Sequence, residues 1–294
     1  MKKIENAVNL KADPATRVGQ VDWPGVVGEI NTYGCALTSR ILSPAECKSI
    51  SEWYDEAERF RSTIDMARYR FGSGEYRYFK SPFPEPVGAL RAAFYRHLLP
   101  VARDWAEKLG RPAPWPDTLE AWLAMCHAAG QTKPTPILLR YRANDWNALH
   151  RDLYGDLVFP LQVVIGLDEP GVDHTGGEFL LVEQRPRAQS RGTSTLLKQG
   201  HGLVFTTRDR PLESARGWSA APVRHGVSTV RSGIRHTLGL VFMTPPDGRG
   251  TSGNPPAGPF VHAAGIRPAP KRCRAPAEGG HGPYDRSGRS DAHE

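Results

Sequence analysis

The sequence predicts an α+β fold: an N-terminal helical cap, a jelly-roll barrel of short strands, and a disordered C-terminal tail. Three observations carry that prediction. Apolar residues before residue 136 recur at helical spacing, whereas the chain from residue 137 breaks into short runs rich in Val, Leu, Ile and Phe. Turn signals such as EPG, HTGG, KQGHG and RSG separate those runs, with no helical stretch between them. Beyond residue 244 apolar clusters stop and Gly and Pro dominate.

The elements follow in order. Residues 1–20 are polar and unpatterned, which predicts a disordered arm. Residues 21–136 form the helical cap, integrated with the barrel. GEINTYGCALTSR, at 28–40, reads as a short strand. SPAE, at 43–46, then opens a helix with an N-cap serine, proline first and glutamate third. A long helix covers 85–108, where Leu90, Ala93, Leu98, Val101 and Trp105 share a face, and a shorter one covers 118–128. Residues 137–244 hold the barrel core: ILLRYRA, LVFPLQVVIGL, GGEFLLVEQ, TLLK, GLVFTT, AAPVRHGVSTV and RHTLGLVFM. Strands in such succession build a sandwich or jelly roll. Residues 245–294 are predicted disordered, because they bury too little to offset their ordering entropy.

Composition narrows the classes. A hydrophobic share of 39% over 294 residues supports a real core, and the net charge of +7 favours acidic partners such as nucleic acid. The four cysteines are scattered without a CxxC pair, which excludes a cysteine zinc knuckle and offers no disulfide framework. No apolar segment follows the N-terminal lysines, and no run approaches a membrane span. A cytoplasmic protein without a membrane partner is expected; its oligomeric state is not legible.

The chemistry concentrates in a few residues. His150 and Asp152 sit at i and i+2 in ALHRDLYGD, on one face of an extended segment. A second histidine, His225, lies in VRHGVS near the end of the barrel. Two histidines and a carboxylate on a β-barrel make the facial triad that holds non-haem Fe(II) with open positions. Ten residues past His225, Arg235 is a permanent cation whose forked donors suit a carboxylate, and Thr237 adds a hydroxyl on the same face.

In HxD, distal histidine, arginine and x-Thr, the chain resembles the 2-oxoglutarate and Fe(II)-dependent oxygenase superfamily, over residues 137–244. More narrowly, RYRANDWNALHRDLYGDLVFPLQVVIGL, TGGEFLLVEQRPRAQSR and RHGVSTVRSGIRHTLGLVF resemble a subfamily described as oxygenases of damaged nucleic acid. The resemblance implies a double-stranded β-helix, with His150, Asp152 and His225 as iron ligands. Arg235 and Thr237 would bind 2-oxoglutarate, as would Tyr141, although LRYRAND lacks the glycine usual before the HxD strand. Fe(II), 2-oxoglutarate and O2 are the implied cofactor and cosubstrates, with ascorbate as a candidate reductant. The implied reaction hydroxylates a C–H bond, and on an N-methyl group of nucleic acid that amounts to oxidative demethylation. The alternatives are a protein-side-chain (prolyl-type) or small-molecule hydroxylase, and a non-catalytic ligand-binding barrel.

Two stretches are candidates for substrate contact. DMARYRFGSGEYRYFKSP, at 65–82, interleaves Arg70 with Tyr76 and Tyr78, as base stacking beside phosphate binding requires. The competing reading is an amphipathic hairpin that packs its rings on the barrel and leaves its arginines in water. Arg185 and Arg187 fall in a loop after a barrel strand, with Arg208, Arg210 and Arg216 further on, as a phosphate-attracting rim or as solubilising charge. Among other histidines, His174 is expected in an exposed loop, and His201 and His236 in structural roles.

Overall fold

A computed structural model of the chain describes residues 8–152, 155–185 and 188–244. The predicted tail, residues 1–7 of the predicted arm, and Arg187 lie outside the described residues. Helices α1 (Pro14–Gly19) and α2 (Trp23–Tyr33) open the chain, followed by strand β1 (Cys35–Arg40) and helix α3 (Pro44–Glu52). Strands β2 (Phe60–Asp65), β3 (Gly72–Ser73) and β4 (Glu75–Phe79) lead into helices α4 (Val87–Lys108) and α5 (Leu119–Ala128). The barrel region holds β5 (Ile137–Arg142), β6 (Trp146–His150), β7 (Leu161–Gly166), β8 (His174–Gly176) and β9 (Phe179–Glu183). It ends with β10 (Arg191–Thr195), β11 (His201–Thr206), β12 (Asp209–Ser214), β13 (Gly217–Val227) and β14 (Val230–Leu240). No helix among the described residues is long and apolar enough to cross a membrane.

Two antiparallel sheets make the double-stranded β-helix. The larger runs β1-β11-β7-β14-β5-β4-β2, with β8 on β14; the smaller runs β10-β9-β13-β6-β3, with β12 on β13. Alternation sorts the side chains of the larger sheet. Leu161, Val163 and Ile165 of β7 and Leu238 and Leu240 of β14 join Leu90, Phe94 and Leu98 of α4 in one apolar cluster. The intervening Gln162, Val164, Arg235, Thr237 and Gly239 line a cavity between the sheets. Helices therefore cover one face, and the other face is kept for a site.

Several expectations change. Residues 14–19 of the predicted arm are helical: Asp13 caps α1, and buried Arg17 donates to the Ile41 carbonyl at 2.8 Å and to Glu46 at 2.6 Å. Residues 28–33, expected as strand, belong to α2. Asp22 caps that helix, Pro24 sits in its first turn, and Gly34 at φ 82° ends it, so strand β1 begins only at Cys35. The capping box at Ser43 and Glu46 forms as its sequence predicts. In TLLK only Thr195 is paired; the chain leaves the ladder there, and Gln199 bridges to Gly166 of β7. The cap also supplies strands: β1, β2 and β4 extend the larger sheet.

The end of the barrel is gripped by side chains from earlier in the chain. Arg91 Nε donates to the Val241 carbonyl at 2.7 Å, Trp122 Nε1 to Phe242 at 2.7 Å, and Thr135 Oγ1 to Met243 at 2.5 Å. Gln131 Nε2 donates to the Thr244 carbonyl at 2.6 Å.

A second tie is ionic. Arg210, 2% exposed, donates Nε to Glu183 Oε2 at 2.5 Å and Nη1 to the Asn31 carbonyl at 2.7 Å. Replacing Glu183 by alanine strands that guanidinium in the interior, which costs about 3–5 kcal/mol. The expected result is a lower urea midpoint at an unchanged m-value; an unshifted midpoint would show that the pair carries no stability.

Candidate active site

A bulge aims the key histidine. On β13 and β6, His225 pairs with His150 and Val227 with Asn147, so three steps on β6 match two on β13. The extra residue re-aims the strand, and both Asn147 and His150 reach the cavity. Gly226 permits it: a Cβ there would stand 2.7 Å from the Asn147 carbonyl oxygen. Asp152 follows the end of β6 and turns to the same point.

His150 Nε2 lies 3.6 Å from Asp152 Oδ1, and His225 Nε2 lies 3.2 Å from Asp152 Oδ2. One ligand atom from each of the three residues falls within 4.8 Å of the others, the span a single metal ion bridges. Their supports are specific. The Nδ1 of His150 meets the Ala148 carbonyl at 2.7 Å, which leaves Nε2 its lone pair. Gln162 Nε2 donates to Asp152 Oδ2 at 2.6 Å, and Phe179 stacks on the His225 ring at 5.9 Å. Burial, then the neighbouring His225, pushes His150 down to about 3. Burial pushes the Asp152 carboxyl up, but His225, His150 and the Gln162 donor outweigh it and hold it below the usual range. A neutral imidazole beside an ionised carboxylate is a donor set ready for a divalent cation.

Arg235 and Thr237 line the same cavity, which measures about 80 Å³. Arg235 is 3% exposed, pairs in register with Tyr141 of β5, and sets its guanidinium carbon 5.5 Å from that ring's centroid. Burial pulls its pKa down. Among the described residues, three buried polar atoms of side chains lining this cavity have no hydrogen-bond partner: Arg235 Nη1, Asn147 Oδ1 and His225 Nδ1. Unpaired buried polar atoms are costly, and their concentration in one cavity fits a polar, anionic ligand beside a metal. The residues present thus suit Fe(II) and a dicarboxylate.

Gly177, at φ 73°, makes room for the arginine: a Cβ there would stand 2.7 Å from Arg235 Cδ and 2.9 Å from Val230 Cγ2. Gly177→Ala is expected to raise the 2-oxoglutarate concentration for half-maximal turnover severalfold while iron content is retained. Unchanged cosubstrate dependence would show that Arg235 does not need this clearance.

The other predicted residues separate. Tyr141 is fully buried, and its hydroxyl accepts from Asn147 Nδ2 at 3.4 Å. Tyr76 and Tyr78 point inward, at 1% and 7% exposure, because the pairing of β4 with β5 turns that face to the barrel. Tyr76 lines the cavity, whereas Arg70 is on the surface at φ 60°. Arg185 donates Nε to Glu183 at 2.7 Å and remains partly exposed. His174 is not an exposed loop residue: β8 pairs with the start of β14, His174 opposite Gly233, and burial follows at 3% exposure. His236 faces away from the cavity and holds Asp168 at 3.0 Å, and His201 holds the Thr38 carbonyl at 2.9 Å. Gln162, Asn147 and Gly177 complete the site. The signal for Gln162 is one amide inside the apolar run LVFPLQVVIGL.

A family model described as "Oxygenase, catalysing oxidative methylation of damaged DNA" matches residues 74–244. An uncharacterized protein of Mycobacterium tuberculosis is 66% identical over 164 residues, spanning 56% of this chain and 70% of that protein. Among solved structures, a Pseudomonas putida prolyl-4-hydroxylase aligns at 16% identity and a TM-score of 0.43, over 76% of this chain and 100% of that one. An oxidoreductase of the 2OG-Fe(II) oxygenase family from Burkholderia pseudomallei aligns at 14% identity and a TM-score of 0.43, over 77% and 94%.

Proposed function

This chain belongs to that oxygenase family and is a 2-oxoglutarate- and Fe(II)-dependent oxygenase; from that premise we propose that it removes N-methyl groups from alkylated nucleic acid by hydroxylating them. The observation that carries the reading is the cavity shared by the His150–Asp152–His225 cluster and Arg235, whose Nη1 has no hydrogen-bond partner among the described residues. The family's description supports the substrate class.

In this reading His150, Asp152 and His225 hold Fe(II), and Gln162 orients the carboxylate. Arg235 and Thr237 hold the distal carboxylate of 2-oxoglutarate, with Tyr141 packed against the guanidinium. When bound, Fe(II) with 2-oxoglutarate and O2 supplies the oxidising chemistry that turns a C–H bond into C–OH. Val164, Phe179, Phe205 and Val227 wall the cavity with apolar surface and exclude water from it. On the substrate side, Arg70 offers a cation and Trp146, 42% exposed on β6, a stacking surface beside β3. Arg185 and Arg187 remain further candidates for backbone contact. A cytoplasmic location and ascorbate as reductant belong to the same proposal.

The test is succinate formed from 2-oxoglutarate, and formaldehyde formed beside it, by purified protein with Fe(II), ascorbate and O2, with and without methylated single-stranded DNA or RNA. His150→Ala serves as the control. Formaldehyde released in step with succinate, and only with methylated strands, is the expected result. Succinate stimulated only by peptides or a small metabolite would remove the nucleic-acid substrate and leave the oxygenase.

A further inference from the structure

The outer side of the metal-bearing strands concentrates positive charge. His225 and His150 are register partners on β13 and β6; Arg224 directly precedes the first, and Arg151 follows the second just past the end of β6. Arg208 joins them through its backbone: its carbonyl accepts from the amide of Val223 at 2.8 Å, one residue before Arg224.

Little on the protein offsets them. Arg224 is exposed, and Arg151 Nε is buried without a hydrogen-bond partner among the described residues. Arg151 lies within electrostatic reach of the Arg224 and Arg208 charges and of Asp209. Asp209 is already engaged: Arg111 binds both its oxygens, at 2.8 and 2.9 Å, and Arg208 lies 3.3 Å away. Arg224 and Arg208 thus both act on the charge of Arg151, and the carboxylate that opposes them is already committed. An anion with several acceptor oxygens relieves that arrangement, and the guanidinium fork matches phosphate geometry. Arg151 lies between His150 and Asp152 in the chain, and Arg224 directly precedes His225, so an anion held here is one residue from each proposed metal ligand.

We propose that Arg151, Arg208 and Arg224 form a phosphate-binding site that grips the backbone of a single-stranded nucleic acid while its target base occupies the cavity. The inference rests on the nucleic-acid reading above and adds the residues that hold the strand. It also separates Arg208 from Arg210, which the neighbouring sequence groups together but which Glu183 sequesters in the interior.

The experiment is fluorescence anisotropy of a short labelled single-stranded DNA against the full chain over a salt series. The double variant Arg208→Gln/Arg224→Gln is compared with Arg216→Gln, an exposed arginine in the β12–β13 turn. Circular dichroism checks the fold of each. The double variant is expected to bind roughly tenfold more weakly at low salt, with a log–log salt slope smaller by about 1.4, or about 0.7 for each lost contact. Arg216→Gln is expected to stay within about twofold of the parent. Equal losses in the control would overturn the site in favour of diffuse charge. Unchanged affinity and slope in the double variant would overturn it while leaving the nucleic-acid substrate standing. A parent chain that binds no strand would remove both. Competition by inorganic phosphate at concentrations well below those of the salt series would reassign the arginines to a small free anion.

Discussion

His225→Ala is expected to lose iron binding and turnover together, by more than about 100-fold in affinity, while the chain stays folded. The geometry gives the reason. His225 and His150 both approach Asp152 through Nε2, and removing one leaves a two-ligand site that cannot hold the ion against water. The fold survives because Phe179 and Phe205, which flank the His225 ring, retain their own contact at 4.7 Å. Iron stoichiometry after anaerobic loading, read beside circular dichroism, checks the prediction. Parent-like iron content in the variant would remove His225 from the ligand set.

Arg235→Ala separates the second component. Losing a buried, charge-assisted contact to a carboxylate costs about 3 kcal/mol, so the 2-oxoglutarate requirement is expected to rise roughly 100-fold with iron content unchanged. Arg235→Lys keeps the charge but not the fork, and should recover only part of the loss. Titrating cosubstrate against succinate formation gives the answer. An unaltered half-saturation point would mean that another cation anchors the carboxylate. Because Gly177→Ala perturbs the same guanidinium without deleting it, the two variants should shift the same parameter by different amounts.

Much of this site is legible in sequence because its parts obey short-range rules. His150 and Asp152 are two apart at a strand end, and Arg235 and Thr237 two apart within a strand, so period-two alternation places each pair on one face. The capping box at Ser43 and Glu46 is equally local. What escapes is set across the sheet. EYRYF shows that Tyr76 and Tyr78 share a face, but only the pairing of β4 with β5 makes that face the interior. His174 carries the composition of a turn and is buried because β14 runs past it. The bulge that brings Asn147 in beside His150 exists only in the register between β6 and β13. Helix α2 is a different case, since Asp22, Pro24 and Gly34 announce it locally and the β-like residues between them mask the signal.

The four successive carbonyls of Val241, Phe242, Met243 and Thr244, each held by a side chain from residues 91–135, carry a consequence for biosynthesis. Arg91, Trp122, Gln131 and Thr135 leave the ribosome more than a hundred residues before their acceptors do. Until then these side chains lack the barrel carbonyls on which they end, and the sheet lacks the strand that carries Arg235. The nascent chain therefore cannot complete the cap first and the barrel afterwards. It must wait, with its apolar helix faces exposed, for β14 and residues 241–244 to arrive and close both at once.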